Sequence, residues 1–296
     1  MKINDCFMYY DEDQLLDLRL NILNNYVDKF IIVESKFTHS GKIKNRNFQI
    51  DKFKKFKDKI EYIYIEEEPK NLKIIDEKDS EKEKNNKNIY NGLLRDNFQR
   101  NCLNNCIQKL DNDDVIILSD LDEIPNLEKI NFEKVGGNIY TFEQKMFYYK
   151  LNFLYPKLLW YGSKLCKKRK FVSPQWLRNI KSKRYPLWRI DTLFSKKKYQ
   201  NLKIIKNGGW HFTNMKNPKQ LHIKMSNFAH HPEYEQTKYS EKDMKNFIDK
   251  KIVFYDHFSD KNKDRFKNVN RLVKVDKDFL PEYLSSNLLK YQNLIE

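Results

Sequence analysis

The chain has 296 residues, enough for one large α/β domain or two small ones, and its 40% hydrophobic and 14% aromatic content excludes a disordered chain. The formal charge is +16, from 57 basic against 41 acidic residues. The lysines are spread through the whole sequence among Asn and Ile, with no recognisable nucleic-acid-binding module, so nucleic acid is not an expected partner.

Glycine is scarce, at 7 residues, and neither G-x-x-x-x-G-K nor G-x-G-x-x-G occurs, which argues against a glycine-rich phosphate loop. Cys6, Cys102, Cys106 and Cys166 form no C-x-x-C pair, so reduced, packed thiols are expected rather than a zinc site or a disulfide framework. Residues 1–5 are polar and no apolar run approaches the length of a membrane span. No signal peptide or transmembrane segment is expected, and the expected setting is cytoplasmic.

The pattern predicts a strand over 3–10, ending near Tyr9, then a helix over 14–25 whose stripe is Leu15, Leu16, Leu18, Ile22, Leu23 and Tyr26. A second buried strand over 29–35 ends in Glu34. Strand, helix, strand at this spacing opens a doubly wound sheet. A short basic helix over 51–57 and a strand over 60–65 follow. Residues 70–87 are almost wholly Lys, Glu, Asp and Asn and read as a solvated loop. A helix over about 90–110 carries Arg95 and Arg100, which either reach a nucleotide diphosphate or lie in solvent.

Residues 113–125, D-D-V-I-I-L-S-D-L-D-E-I-P, are the centre of the sequence. The apolar run 115–118 suits a strand buried on both faces. Three acids then follow, and Pro125 is expected to stop sheet pairing. Acids crowded at a strand end repel unless a cation joins them. Magnesium and manganese prefer such oxygens and leave positions for phosphates. In an extended segment Asp120 and Asp122 share a side while Leu121 points away, a two-carboxylate clip for a metal–diphosphate. The competing reading is a solvated acidic loop.

A short helix is expected over 125–133, a turn at Gly136 and Gly137, and one long strand or a hairpin-like pair over 139–153. Residues 174–195 interleave Trp176, Arg178, Trp188, Arg189 and Asp191, types that pack on sugar faces or fill cores. In 207–212, N-G-G-W-H-F, His211 either completes the aspartate–metal site, contacts a diphosphate or is structural. The adjacent His230 and His231 make a poor metal clip. Beyond Ser240 the chain reads as a small helical cap, dividing it into a main domain over 1–245 and a C-terminal helical extension over 246–296.

Four blocks together resemble the family-17 glycosyltransferases, the β-1,4-mannosyl-glycoprotein β-1,4-N-acetylglucosaminyltransferase-like family: DQLLDLRLNILNNYVDKFIIVESKFTHSG, DDVIILSDLDEIP, GGWHF and, more weakly, LPEYLSSNLLKY. The resemblance runs over most of the chain in the same order. It implies a GT-A fold, a Rossmann-like mixed sheet flanked by helices, and inverting transfer from a UDP-sugar, UDP-GlcNAc first, to a glycan acceptor. The family motifs fall on Asp120, Asp122, Glu123, Ile124 and Pro125, on Glu34, Ser35, Phe37 and Thr38, and on Gly209, Trp210 and His211. Unlike Golgi members of the family, no N-terminal membrane anchor is expected here, and the sequence carries Lys/Asn-rich insertions.

On this reading Asp122, with Asp120 and His211, holds Mn2+ or Mg2+. Tyr9, Glu34, Arg95, Arg100, Asp120 and Trp210 are the donor-binding candidates, and Arg100 or Arg189 shares the diphosphate charge. Asp191 is the candidate base, with Glu143 and Glu233 as alternatives, and an ion pair of Asp191 with Arg189 or Arg178 as its competing role. Two other classes stay open: a metal-dependent nucleotidyltransferase or phosphohydrolase using the same aspartates, and a non-catalytic carbohydrate-binding protein.

Overall fold

The structure is a computed structural model that describes residues 1–183, 185, 192, 194–199, 202–226, 234–255 and 270–296. The first half follows the expected alternation. Strand β1 (Ile3–Met8) leads through helix α1 (Asp13–Leu23) to β2 (Lys29–Ser35), and β3 (Ile60–Ile65) follows a 3-10 segment at Ile50–Lys59. Helix α2 (Glu81–Cys102) and the short α3 (Asn104–Ile107) bring the chain back to β4 (Val115–Leu118).

The remaining strands are β5 (Glu123–Pro125), β6 (Ile139–Phe142), β7 (Gln144–Tyr148), β8 (Phe153–Trp160) and β9 (Lys164–Lys167). After helix α4 (Pro174–Asn179) come β10 (Leu202–Ile205), β11 (Gly209–Thr213) and helix α5 (Pro218–Met225). Short strands β12 (Ile252–Val253), β13 (Asn270–Arg271) and β14 (Val273–Lys274) lie near the C-terminus.

A seven-stranded mixed sheet has the order β10-β6-β9-β4-β1-β2-β3. Strand β1 pairs in parallel with β2 on one side and β4 on the other, while β9 runs antiparallel to β4 and β6. The chain therefore leaves β1 toward β2 and β3, then returns to its other flank at β4. That reversal is a topological switch point, and it opens a crevice beyond the carboxyl ends of β1 and β4. All four residues of β4 are buried, as expected for a central strand covered on both faces. This is the Rossmann-like mixed sheet flanked by helices that the sequence predicts.

Several local expectations change. The helix expected from about residue 90 starts at Glu81, because Ser80 and Glu83 form a capping box: Ser80 Oγ accepts from Glu83 N at 3.3 Å, and Glu83 Oε2 accepts from Ser80 N at 2.9 Å. Residues 81–87 of the expected loop are thus helix. Part of the rest is tied down by the buried Asn91, whose amide exchanges two 2.8 Å hydrogen bonds with the backbone of Lys73.

The span 139–153 divides between two sheets at Glu143, with β6 in the large sheet and β7 and β8 forming a hairpin in a five-stranded sheet of order β14-β8-β7-β11-β5. Pro125 does not stop pairing. It sits in the edge strand β5 opposite Gly209, where a missing N–H is tolerated. Gly209 has φ +134°, and a Cβ there would lie 2.2 Å from the Ile124 carbonyl oxygen, so the backbones approach as closely as glycine allows. Residues 126–134 form two separate 3-10 turns, capped by Asn126 and Asn131, rather than one helix.

The division expected after residue 245 falls inside the helix Glu241–Asp249, which packs against α5. The extension is also not purely helical: β14 pairs with β8, and Leu280, Leu284, Tyr291 and Leu294 enter the main core. Among the described residues no helix is long and apolar enough to cross a membrane.

One buried ion pair links these elements to the crevice. Arg19 of α1 and Asp5 of β1 are both fully buried, with Nη2–Oδ1 at 2.6 Å and Nε–Oδ2 at 2.8 Å. Arg19 Nη1 also donates to the carbonyl oxygens of Asp120 (3.2 Å), Leu121 (3.2 Å) and Glu123 (2.6 Å). Replacing Arg19 with Met leaves a buried carboxylate without its cation and three carbonyls without a donor. The expected outcome is a loss of about 3–5 kcal/mol in urea unfolding. A loss below about 1 kcal/mol would show that the pair contributes little.

Candidate functional site

The Arg19 contacts decide the shape of the acidic segment. It is a turn, closed by Glu123 N donating to Asp120 O at 3.0 Å, and not the extended stretch the sequence predicts. Leu121 is drawn into the core at 6% exposure, while the Asp120 and Asp122 side chains keep 33% and 21% of their surface exposed. Both aspartates line a cavity of about 300 Å³ beyond the carboxyl ends of β1 and β4, with Tyr9, Tyr10, Glu12, Thr38, His39, Lys44, Asp96 and Lys224 among its other walls.

The two carboxylates have different counter-charges. Arg178 of α4 donates from Nη2 to Asp120 Oδ2 at 2.6 Å, and Arg100 of α2 from Nη2 to Asp120 Oδ1 at 3.3 Å. Burial opposes ionisation of Asp120, but Arg178 and then Arg100 outweigh it and hold its carboxyl well below the usual carboxylate range. Asp122 Oδ2 instead faces His211 Nε2 at 3.4 Å. Burial again opposes the charge, and the imidazole overcomes it, so Asp122 titrates low and His211 titrates high.

Glu123 holds this array together. It is fully buried and accepts from Arg178 Nη1 at 2.7 Å, Arg178 Nη2 at 2.9 Å, the backbone N of Asp120 at 2.9 Å and the Trp160 indole. Arg178 Nη1 also donates to Gly162 O at 2.9 Å. Neither the pairing of Glu123 with Arg178 nor that of Arg19 with Asp5 is among the sequence-based expectations. A charge inside a leucine stripe and an acid inside a buried strand were the available signals for the second pair.

The other nominated residues separate. Tyr9 lines the cavity, its ring buried and its hydroxyl on Asp13. Glu34 does not line it. Its carboxylate pairs with Lys44 and accepts from Asn47 N (2.8 Å), Phe48 N (3.0 Å) and Tyr62 Oη (2.8 Å), so it shapes the loop after β2. Arg95 pairs with Glu68 at 2.6 Å and donates to His39 O at 3.4 Å, backing that loop from outside the cavity.

Arg100 lies beneath Asp120 and is held by Asp96 (2.8 Å) and Gln175 (2.6 Å). Trp210 and His211 point to opposite faces of β11, as strand alternation requires. Trp210 therefore lines a different cavity, of about 170 Å³, and its indole donates to Phe279 O at 2.8 Å. Glu143, at the junction of β6 and β7, accepts from Tyr161 at 2.8 Å and does not reach the aspartates' cavity. Asp191, Glu233, Arg189, His230 and His231 lie outside the described residues.

For a divalent cation, the fit is through Asp122. Its carboxylate faces the cavity, His211 stands behind it, and His211 Nδ1 is buried without a hydrogen-bond partner among the described residues. Both oxygens of Asp120, in contrast, are held by guanidinium groups. No group of three or more His, Cys, Asp or Glu is arranged to hold a metal among the described residues, so most of a cation's shell would come from substrate phosphates and water.

A helix-flanked mixed sheet with this charged crevice at its switch point places the chain among the Rossmann-like glycosyltransferases. It belongs to glycosyltransferase family 17, whose family model matches residues 1–296. No curated protein matches the chain.

Two outcomes follow from the array. A Cβ on Gly162 would lie 1.9 Å from Glu123 Oε1, so Gly162→Ala must displace the carboxylate that holds Arg178. A cost of about 1–3 kcal/mol is expected in chemical unfolding, the usual penalty of overpacking. The second concerns Lys164 of β9, buried with its amine 3.0 Å from Arg178 O. Burial and then Arg178 push its amine down to about 7.

The unfolded chain, with an ordinary lysine pKa near ~10.4, binds more protons than the folded one between these values, so stability rises with pH across that window. Urea midpoints of wild type relative to Lys164→Met should climb between pH 7 and pH 9.5. A flat difference would show that Lys164 stays charged when buried.

Proposed function

We propose that this glycosyltransferase moves GlcNAc from UDP-GlcNAc to a glycan acceptor with inversion at the anomeric carbon. The observation that supports the reading is the cavity of about 300 Å³ beyond β1 and β4 that Asp120 and Asp122 face, in a family-17 chain. Asp122, backed by His211, would hold Mn2+ or Mg2+. When bound, that ion supplies Lewis-acid neutralisation of the leaving diphosphate.

The chain's own residues do the rest. Arg178 and Arg100 keep Asp120 ionised and fixed, and Glu123 keeps Arg178 in place. This preorganises the cavity's charges, so little rearrangement is needed as the leaving group gains charge. Tyr9 and Tyr10 wall the cavity on the β1 side. Inversion requires a base on the face opposite the leaving group. Asp191 is proposed for it, on its place in the sequence among Trp and Arg residues.

The test is a thermal-shift screen of UDP-, GDP- and CMP-sugars with and without manganese, followed by assay of released products. UDP-GlcNAc with manganese should stabilise the wild type by about 2.7 kcal/mol at a hundredfold excess over Kd. Asp122→Ala should lose the manganese-dependent part, and UDP should be the nucleotide released. Release of pyrophosphate or phosphate instead would move the chain's chemistry to nucleotidyl or phosphoryl transfer.

A further inference from the structure

We infer that Lys224 is a phosphate-binding residue of the cavity, the cation that meets the diphosphate of the bound nucleotide. The inference rests on the donor reading above and names the side chain that would contact the donor's charged part. It comes from the accounting of charges around the cavity. The basic side chains lining it are His39, Lys44 and Lys224. Lys44 is committed to the buried Glu34, and His39 stands 3.8 Å from Asp96.

The acids are matched as well. Asp120 has Arg178 and Arg100, Asp122 has His211, and Glu12 has Lys216 at 3.7 Å. Lys224 has no ion-pair partner among the described residues, although it lines a cavity with four acids.

Its position is also built. Lys224 lies in the last turn of α5, a helix that starts with a capping box between Asn217 and Gln220. Leu221 and Met225 anchor that helix in an aromatic cluster. The helix thus fixes the root of the lysine, and the side chain is half-buried at the cavity wall. Its charge also contributes to keeping Asp122 ionised. A lysine at the wall of a cavity, with no ion-pair partner among the described residues, can meet an anion that enters it without first breaking another pair. Lysine suits phosphate oxygens as a point charge on a flexible stem, able to follow the group as it leaves.

Calorimetric titration of the full chain with UDP, inorganic pyrophosphate and uridine tests this, using wild type, Lys224→Met and Lys224→Arg. Lys224→Met should weaken UDP and pyrophosphate about tenfold, the loss of one charge-assisted contact, and leave uridine within about twofold. Lys224→Arg should restore most of the UDP affinity. Circular dichroism melts of both variants should match wild type, separating a lost contact from a lost fold.

UDP binding to Lys224→Met within twofold of wild type overturns the inference and leaves the donor reading standing. Equal weakening of uridine and UDP also overturns it, since the effect would not be on phosphate. Absence of any nucleoside diphosphate or pyrophosphate binding by wild type overturns the donor reading itself, and this inference with it.

Discussion

The buried pair Arg19–Asp5 is the interaction on which the site depends. Neither side chain has any exposed surface, so each charge is tolerable only because the other is there. Arg19 has a second task, because its guanidinium collects three carbonyl oxygens from residues 120–123. Those carbonyls must converge on one point, and an extended strand cannot do that. The acidic segment therefore turns, and the turn sends Leu121 to the core and both aspartates to the cavity. Helix α1, strand β1 and the end of β4 are fixed relative to one another by a single side chain.

Above that turn lies a second layer of charge. Two aspartates and a glutamate within four residues would repel strongly if left alone. Each instead has a cation from elsewhere in the chain: Arg100 from α2, Arg178 from α4 and His211 from β11. The arrangement couples the two sheets, since β4 belongs to the large one and β11 to the small one. Glu123 belongs to the small sheet through β5, and its partner Trp160 lies at the end of β8 in the same sheet. The carboxylate site is thus also the joint between the layers.

Much of this was legible in the residues, for definable reasons. The buried strands and the acidic segment stood out because their composition changes abruptly, from apolar to acidic within two residues of Leu118. The strand, helix, strand opening was readable because hydrophobic period changes with backbone geometry. The capping box at Ser80 and Glu83 was present but hidden inside a run of like residues, where single charges carry little contrast. The nomination of both Trp210 and His211 for one site conflicts with strand alternation, and the structure resolves the conflict in favour of His211.

The pairings of Arg100 and Arg178 were not legible, because a long-range ion pair leaves no local pattern, and for Arg19 the only signals were a charge inside a leucine stripe and an acid inside a buried strand. Glu34 and Arg95 were nominated for the ligand and instead shape the loop after β2, one from inside and one from outside. Buried acids and arginines beside a cavity are as often its framework as its reagents.

The division of labour between the two aspartates follows from the same physics. A carboxylate locked between two guanidinium groups has little capacity left for another cation, whereas one facing an imidazole retains some. Asp120 therefore acts as an anchor that draws α2 and α4 onto the crevice, and Asp122 is the one left to meet what enters it. The same arrangement would let a cavity lined with acids accept an anionic ligand. Asp120 and Asp122 are neutralised from behind by residues that do not line the cavity, Arg100, Arg178 and His211, so the potential inside it is set by those hidden cations as much as by the visible carboxylates. The net charge of +16 is spread along the sequence, but what a phosphate would meet in the cavity would be decided by these few buried pairs.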